Sequence, residues 1–263
     1  MNHDVDGFRF GLVTPVAAYL MAWLSSALGL RCIVRTVHHG HRGKSGWLIL
    51  GAASIGCGIW TMHFIAMLGF TIDRIDLTYD VGLTVLSLVI AIVVVSIGVF
   101  VVGHLGATRW TLGVAGPVTG LGVSAMHYTG MHAMHFHGSL RFDTVTVVLS
   151  VLIAVGAATA ALWAAVTVRG LMPALAAGLV MAAAVTGMHY TAMAAVSFHP
   201  TATAADLHTG QSPLSLLLPM LIGPMFFLFL AAWIVMFDPL LVAGDSGSSR
   251  TASAAAPTAR LHP

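Results

Sequence analysis

Three histidines in this chain lie between methionines: His63 between Met62 and Met67, His127 between Met126 and Met131, and His189 between Met188 and Met193. Imidazole with thioether is a soft-to-borderline ligand set. It suits Cu(I), and tolerates Cu(II) where histidines dominate. Calcium and magnesium want oxygen ligands. Zinc prefers cysteine, histidine and carboxylate, and no carboxylate lies at the depth of these residues. Each motif sits in an apolar run, where an ionisable side chain marks a functional site, although an imidazole can stay neutral there. The +4 methionines Met67, Met131 and Met193 share the face of their histidine. Met62, Met126 and Met188 sit about 100° round the helix and are the weaker ligands.

The elements that carry these residues belong to a membrane. The chain has 263 residues, 58% hydrophobic and 8% charged, with a single lysine, Lys44, and no glutamate. Soluble proteins carry about a quarter charged residues, so no water-facing surface can be built from this composition, and the class is integral membrane. A net charge of +2 gives no reason to expect nucleic acid. Cys32 and Cys57 are too few and too apolar in context for a disulfide framework. The N-terminus, MNHDVDGFRF, is acidic and lacks a basic n-region, so the first apolar run reads as a retained helix rather than a cleaved signal.

A spanning helix needs about 20 mostly apolar residues. Seven runs qualify, near 11–30, 47–70, 81–102, 110–133, 145–168, 171–197 and 214–237. Lysine and arginine mark the cytoplasmic side. Arg31, Arg35, Arg42, Lys44, Arg109, Arg169, Arg250 and Arg260 fall on one side, against Arg9, Arg74 and Arg141 on the other. The expected topology is therefore N-terminus outside and C-terminus in the cytoplasm. The expected fold class is all-α: a polytopic seven-helix membrane domain over residues 1–240, followed by a small, polar, disordered cytoplasmic tail over 241–263.

The spacing of the histidines, 64 and then 62 residues, is one helical hairpin, so the chain reads as three hairpin repeats plus a seventh helix. Spans two, four and six run in the same direction. Each histidine lies 16 to 18 residues from the inner end of its span, about 25 Å up at ~1.5 Å per residue. The three therefore share one depth in the outer half of the bilayer. Positions −11, −7, −4, 0 and +4 from each histidine share a face. They read Ala52, Gly56, Ile59, His63, Met67; then Gly116, Gly120, Val123, His127, Met131; then Gly178, Ala182, Val185, His189, Met193. Small residues let helix backbones approach, and a β-branched layer packs beneath the imidazoles.

Other residues leave two readings open. Tyr128 and Tyr190 follow their histidines, as interfacial rings or as hydrogen-bonding or ligand groups. Thr129 and Thr191 can bond a histidine's second nitrogen, as metal-bound histidines require. His132, Met134, His135, His137, His199 and His208 are either an outer loading site or solvated interfacial residues. The loop HHGHRGK, with His38, His39 and His41, is a positive-inside loop or a point of metal handoff.

The three motifs, seven spans and N-out orientation resemble the MHYT domain family, a bacterial integral-membrane sensor module. The resemblance covers about residues 8–240, and Met126-His127-Tyr128-Thr129 and Met188-His189-Tyr190-Thr191 spell its name. The first copy departs at Phe64 and Ile65. The resemblance implies copper binding through such Met, His and Tyr residues, sensing of oxygen, carbon monoxide or nitric oxide, and a place in the bacterial inner membrane. It also implies cytoplasmic signalling output. The tail is too short and polar to be an enzyme, so that output is expected from a separate cytoplasmic signalling protein. The leading expectation is thus a non-enzymatic copper-binding membrane sensor of a diatomic gas or of redox state. Copper uptake, storage or delivery is the alternative. A haem or copper oxidoreductase stands third, because the small residues between the helices leave little room for a porphyrin.

Overall fold

The computed structural model describes residues 5–6, 10–38, 44–72, 78–135, 138–200 and 213–237. Its helices are α1 (Val13–His38), α2 (Lys44–Leu68), α3 (Val81–Leu105), α4 (Arg109–His132), α5 (Thr144–Thr167), α6 (Leu171–Ala194) and α7 (Pro213–Met236). Six of them are long and apolar enough to cross a membrane. The seventh, α4, is diluted by glycine, threonine and histidine, yet it runs between α3 and α5. Its outward stripe of Val114, Val118 and Leu121 is exposed and apolar like theirs. The protein is a multi-pass membrane protein whose described residues form seven helices.

The first six helices form a closed ring, each packing on the next, with α6 returning to α1. Two hydrogen bonds pin that closure. The Trp23 indole N–H donates to the Leu175 carbonyl at 2.9 Å, and the Tyr19 hydroxyl donates to the Leu179 carbonyl at 3.1 Å. The third histidine helix therefore takes α1 as its partner. The seventh helix does not complete the last hairpin; it lies outside the ring, mainly against α2.

The ring is a pseudo-threefold object, and the small residues show why. A Cβ on Gly56 of α2 would lie 2.9 Å from the Ile92 Cα of α3. A Cβ on the equivalent Gly120 of α4 would lie 2.5 Å from the Val155 Cα of α5. Each histidine helix in the first two repeats thus meets the backbone of the helix that follows it, a contact open only to glycine. Side-chain caps start the partner helices: the Leu83 amide donates to Asp80 at 2.7 Å and the Thr146 amide to Asp143 at 2.9 Å.

Two features depart from the sequence reading. The first helix does not stop near residue 30 but continues through Arg31 and Arg35 to His38, and α2 already begins at Lys44. The charges end the apolar run, not the helix, because Arg35 lays its guanidinium over the Trp47 ring, 4.2 Å from the centroid. The second departure is three short antiparallel strand pairs at the end of the bundle where α2, α4 and α6 finish. They are β1 (Val5–Asp6) with β2 (Thr71–Ile72), β3 (Thr78–Tyr79) with β4 (Met134–His135), and β5 (Gly138–Phe142) with β6 (Val196–Pro200). Each pair ties together segments far apart in the chain.

Candidate metal centre

His63, His127 and His189 come from the alternate helices of the ring and point to its axis. All three are buried, 1–2% exposed. Their Nδ1 atoms form a nearly equilateral triangle with sides of 3.1, 3.2 and 3.3 Å. Neighbouring rings stand at 77–79° to one another, like three blades.

This triangle cannot be satisfied by hydrogen bonds alone. A neutral imidazole nitrogen is either an N–H donor or a lone-pair acceptor, never both. Three nitrogens of two kinds must place at least one like pair in contact. A cation at the centre removes the conflict by taking three lone pairs at once. The point equidistant from the three nitrogens lies about 1.85 Å from each, the mean side divided by √3. Metal–imidazole bonds run about 2.0–2.1 Å, so the triangle is close to the size at which these three nitrogens would hold one ion. Among the described histidines, cysteines and carboxylates, these three histidines form the cluster that could hold a metal.

The methionines are not equivalent. Met62, Met67, Met126, Met131 and Met188 are all but fully buried in the core of the bundle, whereas Met193 is half-buried at its edge. The outer nitrogens lack the expected support: Nε2 of His63 and of His127 is buried with no hydrogen-bond partner. The Thr191 hydroxyl donates instead to the Gly187 carbonyl of its own helix, the usual outlet for a helical threonine. Tyr128 turns toward α5, its hydroxyl 2.9 Å from that of Ser150. Tyr190 packs edge-on to His189, with centroids 5.0 Å apart. His132 and His135 are exposed at the end of the bundle that carries the strand pairs, and Met134 is buried. The positions of His39, His41, His137 and His208, and the tail 241–263, lie outside the described residues.

Two residues near the site were not anticipated. Gly130 brings α4 against the first histidine: a Cβ there would stand 2.6 Å from His63 Nε2. The sequence held a trace of this, since the same motif position is Ala66 and Ala192 in the other copies. Tyr79, from β3, packs on Phe64 at 6.1 Å between centroids. Phe64 in turn sits edge-on to His63 at 4.7 Å. The copy that lacks a motif tyrosine thus receives a buried tyrosine from a strand, whose phenol burial pushes up above its ordinary pKa. No spacing in the sequence pointed to it.

The family model for MHYT, described as "Bacterial signalling protein N terminal repeat", matches residues 56–115 and 120–178, two successive histidine helices with their partners. The chain belongs to the MHYT family. Over 194 residues this MHYT chain is 39% identical to the bifunctional diguanylate cyclase/cyclic di-GMP phosphodiesterase MucR of Pseudomonas aeruginosa, a match covering 72% of this chain and 28% of MucR. It is 36% identical over 206 residues to the cyclic di-GMP phosphodiesterase NbdA of the same organism, covering 76% of this chain and 26% of NbdA. It is 26% identical over 195 residues to the signaling protein YkoW of Bacillus subtilis, covering 72% and 23%. The chain spans about a quarter of the length of these relatives. No solved structure matches it. What is established is an MHYT signalling domain in a multi-pass membrane protein.

Proposed function

We propose that His63, His127 and His189 hold a copper ion, and that the chain is the sensing part of a bacterial membrane signalling system responding to a diatomic gas (oxygen, carbon monoxide or nitric oxide) or to redox state. The observation that carries this reading is the Nδ1 triangle, too close-set to be satisfied by protons and sized for one ion. Copper is favoured over zinc by the buried thioethers that flank each histidine in sequence, with Met67 and Met131 as reserve ligands and Met62, Met126, Met188 and Met193 behind them. When bound, copper supplies a one-electron couple and affinity for small gases. The protein's own contribution is to fix three imidazoles, exclude water and hold their lone pairs inward. A change of ligand strength at the triad then biases the relative positions of α2, α4 and α6, provided two such arrangements differ in affinity for the signal. The relatives MucR and NbdA are named for cyclic di-GMP turnover, which supports an output through a cytoplasmic signalling protein. With the arginine-rich end in the cytoplasm, the triad lies toward the outer face of the inner membrane.

The test is metal analysis of the purified chain and of His63→Ala, His127→Ala and His189→Ala, each checked for folding by thermal denaturation. The expected result is copper in the unmutated protein and a loss of at least tenfold in each variant. Equal copper in all four preparations rejects the assignment.

A further inference from the structure

One helical turn below the triad the ring lines a partly open cavity of about 70 Å³. All six ring helices contribute to its wall, and α7 does not. Its lining next to the site is Ile59, Val123 and Val185, each four residues before a histidine and so about 6 Å beneath it. The cavity exists because α5 turns alanines inward, among them Ala154, Ala158 and Ala161, where larger side chains would fill the axis.

Among the described residues, two that bear hydroxyls, Ser26 and Thr119, reach this space. A buried water needs 2–4 polar partners, and apolar cavities that lack them stay dry and take up xenon or small hydrocarbons. The volume suits a molecule of two heavy atoms and is far too small for a porphyrin. Outside the alanine wall, α5 presents Val148, Leu149 and Leu152 to the lipid, and diatomic gases dissolve better in hydrocarbon than in water.

We propose that this cavity is a dry docking chamber for a single diatomic gas molecule, fed from the lipid past α5 and opening toward the histidine triad. That the occupant is a signalling gas rests on the function proposed above; the chamber's selection of small apolar molecules does not.

The experiment is a xenon-129 NMR titration of the full chain in lipid nanodiscs, with empty nanodiscs as the baseline. Ala158→Leu and Ala161→Leu fill the chamber, and Val123→Ala enlarges it. The expected result is one saturable xenon site in the unmutated protein. That site weakens at least tenfold in either leucine variant and is retained or tightened in Val123→Ala, with copper content the same throughout. On the Cu(I)-loaded protein, carbon monoxide recombination after photolysis is expected to slow at least threefold in Ala158→Leu, with an unchanged CO stretching frequency. Absence of saturable xenon above the nanodisc baseline, or equal xenon binding in both filled variants, overturns the chamber. Xenon binding as described in a protein that takes up no copper upholds the chamber and overturns the copper reading instead.

Discussion

Alanine at position 130 tests how far the triad depends on its surroundings. The added Cβ lies 2.6 Å from His63 Nε2, where ordinary contact begins near 3.4 Å, so about 0.8 Å must be opened. The His63 ring has nowhere to swing: it is 1% exposed and its edge meets Phe64, itself packed on Trp60 with centroids 4.6 Å apart. Whichever way the ring yields, its Nδ1 moves by a comparable amount relative to the other two. Metal–ligand distances tolerate about ±0.2 Å, so one of the three ligands is lost or badly strained. Disturbing a residue that supports a ligand typically costs 10–100-fold in metal affinity, or about 1.4–2.8 kcal/mol. The assay is competition with a Cu(I) chelator on detergent-solubilised protein, with thermal unfolding of the metal-free form to certify the fold. Ala66→Gly and Ala192→Gly, at the equivalent positions, serve as controls and should stay within threefold of the unmutated affinity. A folded Gly130→Ala protein with unmutated copper affinity would refute the reasoning.

Other outcomes follow from the packing and the caps. Gly56→Val and Gly120→Val drive a side chain into a neighbouring helix backbone, and each should lower stability by about 1–3 kcal/mol or more; Gly113→Ala, with open space around it, should be neutral to slightly stabilising. Thermal unfolding in detergent compares them, and equal losses at all three would contradict the close approaches. Asp143 accepts from the Thr146 amide and hydroxyl, which hold its carboxyl below the usual range. A depressed native pKa gives stability that is present above the unfolded value, near pH 4, and is lost as pH falls through the native one. The melting temperature of Asp143→Asn should therefore fall less steeply than that of the unmutated protein between pH 5 and 3, and parallel curves would remove Asp143 from the acid response.

The triad was legible in the sequence because it needed only two regularities: equal depth along three helices running the same way, and one shared helical phase. Residues at −4, 0 and +4 carry both, and the structure brings the three imidazoles together. The methionines were less legible, since phase places a side chain on a face but not how deep that face sits; Met193 reaches only the core edge. Tyr79 was invisible because two-residue strands pair across distant connections, and neither periodicity nor composition records such a pairing. The end of α1 was misread for a simple reason: hydropathy reports where lipid ends, while helical hydrogen bonding continues past Arg31 and Arg35. The three hairpin repeats and the separate seventh helix were legible in the spacing, but the return of α6 to α1 that closes the ring was not, because no periodicity records which distant helices pack together.

That closure has a consequence for how the molecule comes into being. Helices are made from the N-terminus onward, so α1 must wait in the bilayer through four more insertions before α6 arrives to seal the circle. Until then only two of the three imidazoles are in place, and an ion held as proposed would lack its third histidine. The finished site thus reports that nearly the whole domain has been built, and a chain truncated before α6 should be unable to retain metal however well its first helices are inserted.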